Sequence, residues 1–178
     1  RKGFYKAACF VLLAGLMIPI QVILIPIIQI LRTVHLVLTV PGLILVYIAW
    51  YMPFTAFVLT GYIGTISTQL DESAKIDGAN PFLIFFRIIF PLMKPALTSV
   101  VIFITVWTWN DFVTPLVILG SSNFYTVTTG IYRAIGQYTQ KWDDVFAILF
   151  FAATPLAVFY LLLQKHFISG LTAGSLKG

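Results

Sequence analysis

Charge is what this chain has least of. Only 10% of its 178 residues are Asp, Glu, Lys or Arg, while 60% are hydrophobic. An average soluble protein carries about 25% charged residues, and no soluble domain of this size has an interior able to hide so much apolar side chain. A water-soluble globular fold is therefore excluded. Cysteine is almost missing as well: Cys9 stands alone in an apolar run. One thiol excludes an internal disulfide and a cysteine-based metal cluster, and Cys9 reads as a small packed or lipid-facing side chain. The two histidines, His35 and His166, are far apart, and there is no His-Glu-x-x-His, no Cys-x-x-Cys and no Gly-x4-Gly-Lys-Ser/Thr loop. Metal-dependent hydrolysis and nucleotide binding of the usual kind are thus excluded. No catalytic residue, metal ligand or cofactor site is expected, and the chain does not read as an enzyme.

What is present is a series of long uncharged runs. Residues 7–31, 33–70 and 145–164 hold no charge, and 96–120 holds only Asp111. Each is close to or above the roughly 20 residues that a helix needs to cross a bilayer. They do not read as the roughly 10-residue alternating strands of a barrel. The expected fold is an all-α, polytopic membrane helix bundle with spans at about 7–31, 42–66, 96–119 and 145–165. Each span contains proline: Pro19 and Pro26, then Pro53, Pro115 and Pro155. Two readings stand for these: broken helices lining a moving pathway, or the ordinary kinks that membrane helices tolerate.

The basic residues fall unevenly about these spans. Arg1, Lys2, Lys6, Lys75, Arg87, Lys94, Lys165 and Lys177 lie on one side, and Arg32, Arg133 and Lys141 on the other, a split of 8 to 3. The richer side is expected to be cytoplasmic. It holds both termini and the long charged connection at about 67–95. The net charge of +5 has its explanation here, and with no basic face alternating with exposed aromatics a nucleic-acid partner is not expected.

The 67–95 connection is organised. Thr68-Gln69-Leu70-Asp71 reads as a helix start, a hydroxyl cap with an acid three residues on. Asp71 and Lys75 can pair across one turn. Ala74, Ile76 and Ala79 give a small or apolar face. Asp77-Gly78 is a stop signal, because Gly takes the left-handed conformation that ends helices. Pro81 suits the first position of a second helix, which Pro91 closes. The reading is two short helices meeting at a fixed angle.

The order Glu72-Ser73-Ala74, then Asp77-Gly78-Ala79, Phe82, Ile88, Pro91 and Pro95 resembles the cytoplasmic coupling loop of binding-protein-dependent ATP-binding-cassette permeases. Further on, Trp109-Asn110-Asp111-Phe112 followed by Pro115-Leu116 resembles the Trp-Asn-Asp segment of carbohydrate-type permeases. Tyr125-Thr126-Val127 resembles a stretch of their next external loop. Residues 170–178 resemble their C-terminal tail, and the closest subgroup is the maltose- and glycerol-phosphate-type importers. One departure is Ser73, where the family has a second Ala. Another is length: four spans against about six. With a first residue Arg1 rather than Met, about two N-terminal spans are expected to be missing.

The resemblance implies a permease subunit that moves a carbohydrate or related polyol by alternating access, driven by a separate ATPase. It implies an ATP-binding-cassette ATPase dimer, a second permease subunit in a heterodimer, an extracytoplasmic solute-binding protein and membrane lipid as partners. The location implied is a bacterial or archaeal plasma membrane, crossed several times, with the 67–95 loop and C-terminus cytoplasmic. Glu72, Ser73, Ala74, Asp77, Gly78 and Ala79 would couple to the ATPase. Trp107, Trp109, Asn110 and Asp111 would line the substrate pathway. A second reading of Asp111 is that it caps or braces a helix break near Pro115, with the tryptophans as an interfacial belt; a carboxylate in either role needs a nearby donor, for which Asn110 or a residue of a missing span is a candidate. Gln21, Gln29 and His35 are weaker candidates for the pathway, read equally as bonds between helices and a short external loop. Asp143 and Asp144 are weaker candidates for docking a solute-binding protein, read equally as a solvated loop. The rival function is an ion-coupled secondary transporter, which usually needs ionisable residues in several spans; only Asp111 qualifies.

Overall fold

The computed structural model describes residue 7, residues 10–137 and residues 142–175. Cys9, Lys141, the basic residues Arg1, Lys2 and Lys6, and the last three residues of the tail lie outside the described residues. Among the described residues every regular element is helical, and the chain has an all-α membrane permease fold.

The elements are α1 (Ile20–Thr33), α2 (Val40–Ile63), α3 (Thr68–Ile76), α4 (Pro81–Leu92), α5 (Lys94–Asn110), α6 (Val113–Leu119), α7 (Val127–Gln137) and α8 (Trp142–Ser175). Helix α2 and the Trp142–Leu163 part of α8 are long and apolar enough to cross a membrane. Two further pairs qualify only as bent units. Phe10–Met17 and α1 meet at 110°, and α4 and α5 at 64°.

The bends have local causes. At the first, Ile18 and Pro19 are both extended, and the prolyl ring takes the place before α1 where no backbone donor is needed. The run expected as one span at 7–31 is therefore two helices. The run at 96–119 is also interrupted: Asp111 is extended (φ −69°, ψ 127°), ending α5 and starting α6 two residues later. Pro91 does not close its helix; α4 continues through it to Leu92, and the bend falls at Met93. Within α4, Phe85–Ile89 widens to a π-type turn. The helix of the fourth span does not end at about 165: the α8 backbone stays helical to Ser175.

The best-packed region lies where α1, α2 and α6 converge. Leu31, Leu43, Val46, Ile118 and Leu119 form its centre, with Ile20, Leu36 and Tyr47 packed around them. Ile118 is fully buried. The connection from α1 to α2 folds over this core by unusual means. His35 (φ 57°) and Leu38 (φ 62°) are both left-handed, a conformation that costs a side-chain-bearing residue roughly 1–2 kcal/mol. Hydrogen bonds repay it: the His35 amide donates to the Arg32 carbonyl at 3.2 Å, Leu36 to Leu31 at 2.8 Å, and Leu38 to Ile118 at 3.0 Å. The first two close the end of α1 as a Schellman motif, with His35 in the place usually given to Gly.

Candidate functional site

Two groups of residues carry the expected functions, and they lie in different parts of the fold. The first is the elbow formed by α3 and α4. Helix α3 is capped by Ser67, whose hydroxyl accepts from the Gln69 amide at 3.3 Å. The cap therefore lies one residue before the Thr68 that the sequence suggested. Lys75 and Asp71 approach at 3.9 Å on an exposed face, a pair contributing about 0.5 kcal/mol or less. The helix ends where the Gly78 amide donates to Lys75 (3.1 Å) and the Ala79 amide to Ala74 (3.0 Å), with Gly78 at φ 79°. Asn80 then caps α4, its Oδ1 accepting from the Leu83 amide at 2.8 Å. The sequence reading missed this cap, although Asn before Pro is a recognisable start signal.

Of the elbow residues, Glu72, Ser73, Asp77 and Gly78 are exposed, Ala79 is half-buried and Ala74 is buried. Ser73 turns its hydroxyl back to the Gln69 carbonyl, so it presents the outside with little more than the alanine it replaces. Ile76 is 86% exposed and Phe82 78%. Two large apolar side chains thus flank the Gly78 turn with no packing beneath them.

The second group surrounds the break between α5 and α6. The Asp111 carboxylate accepts from the Tyr47 hydroxyl at 3.1 Å through Oδ2 and from the Thr114 amide at 3.2 Å through Oδ1. It thereby serves as a cap for α6 and as a tie to α2. The Asp111 carbonyl accepts from Thr128 Oγ1 at 2.6 Å. Asn110, the donor suggested by the sequence, instead donates to the Val106 carbonyl of its own helix at 2.8 Å. The true donor, Tyr47, is 64 residues away, and no local signal marks it.

Aromatic rings extend from this point along α2 and α5. Tyr47 stacks on Tyr51 at 5.8 Å between centroids, and Tyr51 on Trp107 at 5.9 Å. Trp107 meets Phe54 edge-on at 4.7 Å. Contacts of this kind contribute about 0.5–1.5 kcal/mol each beyond their buried area. Trp107, Asn110 and Asp111 line a cavity of about 470 Å³ with Trp50, Tyr51 and Phe54. Trp109 is not among them. It borders a separate, more apolar cavity of about 670 Å³ between α5, α7 and α8. The four residues expected along one pathway are thus spread over two spaces: Trp107 and Asn110 line both, Asp111 only the smaller and Trp109 only the larger.

Comparison with known proteins gives one family. Residues 1–172 match the binding-protein-dependent transport system inner membrane component. The probable ABC transporter permease protein YurM of Bacillus subtilis is 35% identical over 99% of this chain and 58% of its own length. The multiple sugar-binding transport system permease protein MsmG of Streptococcus mutans is 36% identical over 99% of this chain and 64% of its own. The melibiose/raffinose/stachyose import permease protein MelC of Bacillus subtilis is 35% identical over the whole of this chain and 65% of its own. The chain spans about three fifths of the length of these curated relatives.

Proposed function

Since this chain belongs to the family of binding-protein-dependent transport system inner membrane components, we propose that it is the membrane-crossing part of an ATP-binding-cassette importer for a carbohydrate or related polyol. Membership implies two kinds of partner, an ATPase and a solute-binding protein. The finer assignments are that a second, different permease subunit completes the pathway and that the 67–95 elbow lies in the cytoplasm against the ATPase. Sugar is favoured over other cargo by the names that relatives such as MsmG and MelC bear, and by the aromatic lining of the cavity at Asp111.

The observation that carries this reading is the elbow itself. A power stroke made in another protein must cross an interface, and a rigid bend transmits displacement where a floppy loop absorbs it. The Gly78 turn is hydrogen-bonded at both of its amide steps and flanked by exposed Ile76 and Phe82. Glu72 offers the accompanying charge. Substrate would then pass the Asp111 break as the bent helices alternate between inward and outward openings.

Glu72→Lys is expected to abolish uptake while leaving insertion into the membrane intact. Gly78→Val should do so more weakly: no atom lies within 4 Å of an added Cβ, so its cost is conformational only, of order 1–2 kcal/mol. Uptake and ATPase co-purification in the full-length complex are the measurements. Normal uptake in both variants would refute the assignment of the elbow.

Orientation has its own test. In a background without other cysteines, Gln69→Cys should be protected from an impermeant thiol reagent added outside, and Ser122→Cys should react. The opposite pattern would invert the assignment of every connection.

A further inference from the structure

The short helix α6 is closed at both ends by side chains of one other helix, α7. At its start, the extended Asp111 turns its carbonyl out of the α5 ladder, and Thr128 donates to it. At its finish, Gly120 (φ 48°) turns its carbonyl outward, and Arg133 Nη2 donates to it at 2.7 Å. Between these points Tyr132 meets Phe112 edge-on at 5.3 Å. Arg133 is itself held over the Tyr125 ring, 4.1 Å from its centroid. The start of α7 is fixed too, since the Thr126 amide donates to Thr129 Oγ1 at 2.9 Å and Thr129 is buried.

These contacts have a mechanical meaning. Both contacts are part-buried, and losing such a hydrogen bond costs about 1 kcal/mol, so neither end of α6 separates from α7 without a penalty. Asp111 in turn grips Tyr47 on α2. A path of hydrogen bonds therefore runs from α7, through the break, to the longest fully described apolar helix.

We propose that Thr128 and Arg133 are positioning residues for transport: they bind α6 and α7 into one body, so that α7 moves whenever the Asp111 break moves. This rests on the importer reading above. By reciprocity of coupling, a load placed on α7 from outside would bias the break by the same free energy with which the break biases α7.

The test uses the full-length chain in its assembled complex, in a cysteine-free background. Reporters are Val117→Cys on α6 and Ile135→Cys on α7, both partly exposed. Their reactivity toward a charged maleimide is compared without nucleotide and after trapping with ATP and vanadate. Both reporters should change on trapping. With Thr128→Val and Arg133→Met together, the change at 135 should be lost while the change at 117 and the rate of ATP hydrolysis persist. Thr128→Ser with Arg133→Lys, which keep a donor at each place, should restore it. A change at 135 that survives the Val/Met pair overturns the proposal. So does loss of both changes together, which would make the two residues a brace for the fold and nothing more. If neither reporter responds in the otherwise unaltered complex, the importer reading itself fails and the proposal falls with it.

Discussion

Gly42→Ala should be among the most damaging single-methyl additions this chain can receive. A Cβ at Gly42 would sit 2.1 Å from the Leu36 carbonyl oxygen and 3.1 Å from its carbon. Both atoms are backbone, held by the left-handed pair His35 and Leu38, and they cannot swing aside. The same carbonyl accepts from Thr39 Oγ1 at 2.8 Å, and that hydroxyl accepts from the Gly42 amide at 3.1 Å. Forcing the methyl group in breaks the cap of α2 and lifts the loop from the Ile118 core. Overpacking typically costs 1–3 kcal/mol, and a lost cap adds about 1 kcal/mol. A lowered melting temperature of the purified full-length protein, or its failure to assemble, is the expected readout. Gly61→Ala supplies the control. It lies in the same helix with nothing within 4 Å of an added Cβ, where alanine gains up to about 1 kcal/mol over glycine. Equal stability of the two variants would show the α1–α2 connection to be loosely held.

The second large effect concerns Asp111. Asp111→Ala leaves the part-buried Tyr47 hydroxyl and the buried Thr114 amide without an acceptor, and an orphaned buried donor costs about 1–3 kcal/mol. Thr114 is 1% exposed, so water cannot readily replace the carboxylate there. Asp111→Asn retains one oxygen and should be intermediate. Once Asp111 is alanine, Tyr47→Phe should cost little more, because the two changes remove one shared interaction. The decisive comparison sets a melting curve beside uptake kinetics. A lowered melting temperature with unchanged half-saturation identifies Asp111 as a brace. Raised half-saturation with unchanged stability would instead make it a substrate contact. We expect the former, since both carboxylate oxygens are already engaged.

Much of this architecture is legible from side-chain chemistry alone. The uncharged runs mark the long helices because lipid demands internal satisfaction of every backbone group. The Asp77-Gly78 step marks the elbow because its conformation is local, decided by a missing Cβ. What is illegible is whatever depends on distant partners. Asp111 was conspicuous as a charge in an apolar run, but its donor Tyr47 looks like any other aromatic in α2. Thr128 and Arg133 sit in a polar stretch of sequence, helical in α7, where nothing distinguishes a clamp from solvated side chains. His35 is turned left-handed by the local Schellman bonds that end α1, and Leu38 by a hydrogen bond to the distant Ile118; no Gly marks either place. Proline, by contrast, over-signals. Pro19 accompanies a 110° bend, whereas Pro26, Pro53 and Pro155 stay inside continuous helices, and Pro91 leaves its helix running.

The closure of α6 by α7 also sets an order of events during synthesis. A ribosome delivers the chain from its N-terminus, so the Asp111 carbonyl emerges 17 residues ahead of its donor Thr128, and the Gly120 carbonyl 13 ahead of Arg133. Until those donors follow, both carbonyls must keep water as their partner, and α6 lacks the contacts that close its two ends. The segment between α5 and α7 is thus a part of the chain whose insertion is completed backwards, by residues made after it.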